Sequence, residues 1–168
     1  MNKKVLMSLV LLAIIGTSGV FAQRVGESVQ LGGQTYRVES SSNGRVVLQL
    51  VPSLDGNWVF NSVGWEFAFS GSTATITYIK PNSVSGLYLD GVNKGYYKVG
   101  AQYYRNLRST GNLTWSGQVL YLNFNTSSPN VATGTGYGDT TLTMSPDGQT
   151  LTSNTGSVFT RDPGPRQY

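Results

Sequence analysis

Apolar and polar residues alternate with a period of two along most of this chain, and turn dipeptides interrupt the alternation. The clearest case is Trp65-Glu66-Phe67-Ala68-Phe69-Ser70, then Gly71-Ser72, then Thr73-Ala74-Thr75-Ile76-Thr77-Tyr78. A two-residue loop with glycine first suits a type II′ turn and pairs Ser70 with Thr73. That register sets Phe69 opposite Ala74, Phe67 opposite Ile76 and Trp65 opposite Tyr78 on one face, with Ala68/Thr75 and Glu66/Thr77 on the other. The same reasoning predicts a turn at Ser116-Gly117, which pairs Trp115 with Gln118 and places Leu113, Trp115, Leu120 and Leu122 together. Three-residue Ser42-Asn43-Gly44 aligns Val38 with Leu48 and Tyr36 with Leu50, and Ser145-Pro146-Asp147-Gly148 fits a type I turn. A turn at Gly100-Ala101 predicts one face carrying Tyr96, Lys98, Tyr103, Arg105 and Leu107, and another carrying Tyr97, Val99, Gln102 and Tyr104.

No segment after the N-terminus shows a convincing 3.6-residue period. About eight or nine short strands run from Trp58 onward with no room for crossover helices, so neighbours are expected to be antiparallel. The predicted fold class is therefore all-β: an up-and-down antiparallel barrel of about 8 strands, which leaves no open edge, with a two-sheet sandwich as the alternative. Residues 23–163 read as one domain. Within it, 23–52 form an added N-terminal hairpin ending near Pro52, and 53–163 form the barrel core. Residues 164–168 read as an irregular tail.

The first 22 residues break the pattern. Lys3 and Lys4 precede an apolar run from Val5 to Ile15, Gly16 to Gly19 break it, and Val20-Phe21-Ala22 supplies small residues ahead of Gln23. This is the order of a secretory signal cut after Ala22. The run falls short of the ~20 residues that span a bilayer, so no transmembrane anchor is expected after cleavage. The protein is accordingly expected in the periplasm or outside the cell.

Composition narrows the chemistry. The chain has no cysteine, which excludes disulfides and lipid attachment through an N-terminal thiol, so the core alone must hold the fold. Loss of Lys3 and Lys4 lowers the formal charge from +4 to +2, and there is no basic run, so nucleic acid is not an expected partner. No histidine is present either, which removes histidine triads, the usual general base and histidine-rich zinc sites. No cofactor or metal is expected.

Carboxylates are the remaining catalytic type. Asp55, Asp90 and Asp147 each precede a glycine and Asp139 follows Gly138, so all four read as turn formers, while Glu66 reads as a solvated strand residue. Gly134-Thr135-Gly136-Tyr137-Gly138 lacks the lysine of a phosphate-binding loop, and residues 126–139 read as a long mobile loop. An enzyme is not expected.

Gly56-Asn57-Trp58 at the opening of the first barrel strand resembles the Gly-x-Trp signature of lipocalins and related calycins. In that family an arginine near the end of the last strand packs across the tryptophan, and the matching residue here is Arg161, after Ser157-Val158-Phe159-Thr160. The Thr-Asp-Tyr motif is absent, and Pro163 and Pro165 block a C-terminal helix. The resemblance implies a small lipocalin-like barrel rather than a ligand-carrying lipocalin.

Binding is the expected function class, with a small apolar ligand, a glycan or a protein as partner. One version places an apolar ligand among Trp65, Phe67, Phe69, Tyr78 and Trp115, against the competing expectation that these side chains fill the barrel. The other uses Tyr96, Lys98, Tyr103 and Arg105 as an exposed aromatic and cationic surface. A structural or surface role, including an outer-membrane barrel, is the alternative. Against a membrane barrel stand strands of about five to seven residues, shorter than the ~9–11 that span a bilayer.

Overall fold

The computed structural model describes residues 25–31, 34–42, 45–111 and 113–162. The predicted signal segment, the Asn43-Gly44 turn and the tail after Asp162 lie outside them. The described chain divides into two compact units.

The first is an antiparallel sheet of β1 (Ser28–Leu31), β2 (Gln34–Ser42) and β3 (Arg45–Leu50), in that order. The predicted pairs Val38 with Leu48 and Tyr36 with Leu50 are both present. Strand β1 adds to the expected hairpin, pairing Val29 with Tyr36. This third strand gives Tyr36, Val38 and Leu48 a buried cluster of their own, the minimum an isolated hairpin lacks.

The second unit is a closed barrel of eight antiparallel strands: β4 (Gly56–Phe60), β5 (Trp65–Ser70), β6 (Thr73–Tyr78), β7 (Gln102–Gly111), β8 (Thr114–Asn125), β9 (Ser128–Met144), β10 (Thr150–Ser153) and β11 (Val158–Arg161). Each strand pairs with its sequence neighbour, and β11 closes on β4 through Arg161 opposite Trp58. One helix, α1 (Gly86–Asn93), interrupts the meander between β6 and β7. It was not expected, because eight residues with two glycines show too little periodicity to stand out. It is far too short to cross a membrane, and no described helix is long and apolar enough to do so.

The β5–β6 hairpin has the expected register from Ser70/Thr73 to Phe67/Ile76, with Gly71 left-handed at φ 57°. A bulge then sets Glu66 opposite Tyr78 instead of Thr77. One extra residue reverses the facing of the strand beyond it, so Tyr78 points outward and is 43% exposed.

Two other hairpins and one loop differ from expectation. Ser116 and Gly117 lie inside β8, and the chain instead reverses just before Thr114, with Gly111 opposite Thr114 and Leu113 left-handed at φ 61°. Trp115 and Leu120 therefore sit on opposite faces of one continuous strand. Gly117 serves a close approach rather than a turn: a Cβ there would lie 2.8 Å from the Arg105 carbonyl oxygen and 2.9 Å from Leu107 Cδ2. It faces a bulge in β7, where Asn106 is left-handed at φ 56° and two residues oppose one. The segment before Gly100 is no strand; Tyr96 and Tyr97 fold back by donating their N–H groups to the Gly91 carbonyl. Residues 128–139 are not a mobile loop but the first two-thirds of β9, paired to β8 as far as Asn125 opposite Ser128. Strands β7, β8 and β9 are 10, 12 and 17 residues long, above the expected length.

The distal half of the β8–β9 hairpin outgrows the barrel. Its Leu120 and Leu122 face is buried, and α1 packs on it so closely that a Cβ on Gly91 would meet Leu122 at 2.6 Å. On the opposite face Tyr121 lies over the bare backbone of Gly136 and Gly138.

Gly117→Ala tests the close approach of β7 and β8. Because the clash is with backbone, we expect a loss of about 1–3 kcal/mol in urea unfolding, whereas Ser116→Ala on the exposed side of the same strand should change stability by less than about 0.5 kcal/mol.

Candidate functional site

The barrel interior is occupied by rings. Phe67 stands edge-on to Phe159 at 5.6 Å and 4.9 Å from Tyr103. Phe69 contacts Trp58 at 6.2 Å and Tyr104 at 5.7 Å, and Trp65 meets Tyr97 at 5.5 Å. Trp58, Phe67, Ile76, Leu142, Leu151 and Phe159 are fully buried. Of the residues expected around an apolar ligand, Trp65, Phe67, Phe69 and Trp115 are buried in this packing, and Tyr78 is outside it.

Burial acts on the tyrosines here. Loss of hydration raises the phenols of Tyr97, Tyr103 and Tyr104 well above their ordinary range, with a smaller contribution from neighbouring tyrosines.

One end of the barrel is closed by Trp58 and Arg161. The guanidinium carbon lies 4.3 Å from the indole ring centroid, and Arg161 Nη1 donates to the Asp55 carbonyl at 2.7 Å. Trp58 Nε1 donates to the Leu54 carbonyl at 2.8 Å. Gly56 between them has φ 120°, and a Cβ there would lie 2.9 Å from Arg161 Nη1. All three residues of the expected signature meet, and the glycine is required by both backbone angle and space.

The four expected surface residues do not form one face. Tyr103 turns inward against Phe67, Tyr97 and Tyr104, and Tyr96 is partly buried beside the core. Lys98 is exposed on the segment following α1. The alternation assumed at Gly100-Ala101 fails because no strand precedes the turn. Arg105 alone keeps an outer-face position, with its guanidinium 3.6 Å above the Tyr137 ring and Nε donating to Gln118 Oε1 at 2.9 Å.

Arg105 leads to an arrangement that the local pattern did not reveal. Register places Arg105 opposite Gln118 and Gln118 opposite Asp139; one step along, Arg108 faces Ser116 and Ser116 faces Thr141. Asn154, in the turn after β10, caps this second row. Its N–H donates to the Thr141 carbonyl at 2.9 Å, and its Oδ1 accepts from Thr140 Oγ1 at 3.1 Å and the Thr141 N–H at 3.3 Å. Between the rows lies an open groove of about 460 Å³ lined by Ser116, Gln118, Asp139, Thr141 and Asn154. Arg105 holds the Gln118 carbonyl oxygen, and Thr140 and Thr141 hold that of Asn154, so both amide nitrogens remain as donors. The Asp139 carboxylate has no hydrogen bond or ion pair among the described residues. Two amide donors, one carboxylate acceptor and the Ser116 and Thr141 hydroxyls can bind a polar ligand. A second opening of about 430 Å³ beside Phe60, Asn61 and Thr155 has no charged lining.

Asp139 is thus a strand residue, not a turn former. Asp90 lies in α1, paired with Lys94 at 2.9 Å, and Lys94 together with the Ala132 N–H draws its carboxyl below the ordinary range. Asp55 does serve a turn, accepting from the Gly71 N–H at 2.7 Å. The groove was hidden because its residues come from two strands and a turn that are distant in sequence.

Two measurements check this description. Replacing Arg161 by lysine removes the planar stack on Trp58, and we expect a loss of about 1–2 kcal/mol in denaturant unfolding followed by tryptophan fluorescence; an unchanged midpoint would show that the stack contributes nothing. The raised phenols predict a stability that is constant up to about pH 10 and falls above it, because the unfolded chain releases protons that the folded chain retains. In an absorbance titration at alkaline pH, three tyrosines should ionise only as the β-sheet circular dichroism signal disappears. Ionisation of every phenol in an intact fold would contradict the buried placement.

No family model, no curated protein and no solved structure matches the chain.

Proposed function

We propose that this protein is an exported, non-enzymatic binding module with a lipocalin-like barrel, and that it recognises a polar partner on its outer face, at the groove between Gln118, Asp139 and Asn154. The observation that carries the reading is the filled interior. A carrier of apolar ligands needs an enclosed space, and here the rings of Phe67, Phe159 and Trp58 are fully buried and packed against neighbouring rings. Recognition is then left to the outside, where the groove offers donors and an acceptor that have no partner among the described residues.

The lipocalin-like part of the reading is supported by the contact of Gly56, Trp58 and Arg161 at the point where the last strand meets the first. Export is supported by the order of charge, apolar run and small residues over positions 1–22. The non-enzymatic part is supported by the lack of histidine and cysteine and by the separate employments of Asp55 and Asp90. A glycan or a peptide suits the polar lining better than an apolar small molecule does.

Native mass spectrometry of protein purified from its own source should show the bare mass of the chain. A stoichiometric bound lipid would sink the outer-face reading. In parallel, wild type and the Gln118→Ala/Asp139→Ala double variant are compared on glycan and peptide arrays. Binding by wild type that falls at least tenfold in the variant supports the groove, and equal binding by both removes it.

A further inference from the structure

Strand β9 is 17 residues long, but β10 pairs with only its Leu142–Met144 end. One more bond, from the Asn154 N–H to the Thr141 carbonyl, extends this contact before the chain turns away into β11. Beyond Thr141, β9 remains paired to β8 in unbroken register down to Gly134 opposite Asn123. Backbone groups alternate in direction along a strand. Met144 donates toward Leu113 on the β8 side and Thr141 faces β10, so Asp139, Tyr137 and Thr135 direct their N–H and C=O groups away from β8. Among the described residues these groups have no partner. An unpaired row of this kind is a template for another strand.

Both ends of the row are occupied. At the far end the Ala132 N–H donates to Asp90 Oδ2 at 2.7 Å, and the Ala132 carbonyl accepts from Lys94 Nζ at 2.8 Å. The Asp90–Lys94 pair of α1 thus stands where a neighbouring strand would present its own carbonyl and amide. At the near end Asn154 satisfies both the N–H and the C=O of Thr141. Between these stops lies a window of five residues, roughly 13 Å long at ~3.3 Å per residue. Within it the edge has no lysine and no proline, and Gly136 and Gly138 carry no side chain. The same window borders the groove through Asp139, whose carboxylate lacks a partner among the described residues.

We propose that the Thr135–Asp139 edge of β9 takes an extended segment of another protein as an added antiparallel or parallel strand, with a basic side chain of that segment set against Asp139. This rests on the outer-face reading above and names the class of partner. A second copy of this chain fits less well, because β9 is a continuous strand that overruns a five-residue window and would meet α1 at one end and Asn154 at the other. A short peptide strand does not. Main-chain hydrogen bonds supply the affinity in this mode, and the groove side chains supply the selectivity.

The test selects linear peptides from a phage-displayed library on the full chain and follows the complex by amide hydrogen exchange. The expected peptides carry lysine or arginine at one position and slow the exchange of the Thr135, Tyr137 and Asp139 amides at least tenfold. Thr135→Pro, which removes one outward N–H and leaves the β8 ladder intact, should weaken binding at least tenfold. Should that variant misfold, N-methylation of alternate amides in the peptide makes the same test on wild-type protein. Binding that survives N-methylation and maps to Gln118 and Asn154 overturns strand addition while preserving the outer-face reading. Peptides that map to the ends of the barrel overturn both. Recovery of no peptide, or a dimer in sedimentation that Thr135→Pro dissociates, overturns the peptide partner.

Discussion

An eight-stranded barrel has an interior just wide enough for side chains to fill, and a chain without cysteine has no covalent means of compensating for a gap. Filling with rings is therefore the constraint on which the rest of this barrel depends. Phe67 on β5 and Phe159 on β11, the two strands that flank β4, meet inside it, and Tyr103, Tyr104 and Tyr97 bring in the chain after α1. Tyr103 and Tyr104 are adjacent residues, yet both contact interior rings. Strict alternation would expel one of them, so the sheet yields instead, with a register irregularity where β6 meets β7. The raised phenols are the electrostatic consequence of the same packing.

The few charges that matter are placed by this packing and by the length of the strands. The guanidinium groups of Arg161 and Arg105 both lie over aromatic rings, one closing the barrel against Trp58 and one on the outer face against Tyr137. A guanidinium, planar and weakly hydrated, is suited to covering an aromatic ring in this way, and an ammonium is not. Asp90 and Lys94 bind the backbone of Ala132 and so protect β9 at that residue. A strand longer than its partner needs such protection along its whole free side, and β9 has it only at the two ends of the Thr135–Asp139 window. The packed rings, the polar groove and the β9 edge are thus connected: the first occupy the barrel interior, and the other two border one another outside.

Much of the fold was legible from period-two alternation and turn chemistry. The β5–β6 register from Ser70/Thr73 to Phe67/Ile76 and the Tyr36/Leu50 and Val38/Leu48 pairs are local consequences of the residues present, the eight-stranded barrel follows from joining such antiparallel neighbours in order, and the meeting of Gly56 and Trp58 with the sequence-distant Arg161 was implied by the resemblance to lipocalins. Errors occurred where one residue type serves two purposes. Gly117 has the composition of a turn but admits the β7 backbone, and Gly134, Gly136 and Gly138 have the composition of a loop but make a strand on which Tyr121 lies. Asp90 and Asp139, each beside a glycine, belong to a helix and a strand.

By itself the amino-acid sequence determined that this barrel is built from antiparallel neighbours, that it has no disulfide and no histidine chemistry, and that Phe67, Phe69 and Ile76 share one face of the β5–β6 hairpin. Alternation and turn preference act over a few residues, so they can be read in order along the chain. Only the tertiary structure decided which face of β8 is buried, that Tyr78 points outward, and that Gln118, Asp139 and Asn154 border one groove. Those outcomes depend on bulges and on unequal strand lengths. Each shifts the facing or pairing of residues far from where it arises, through contacts that no local pattern contains.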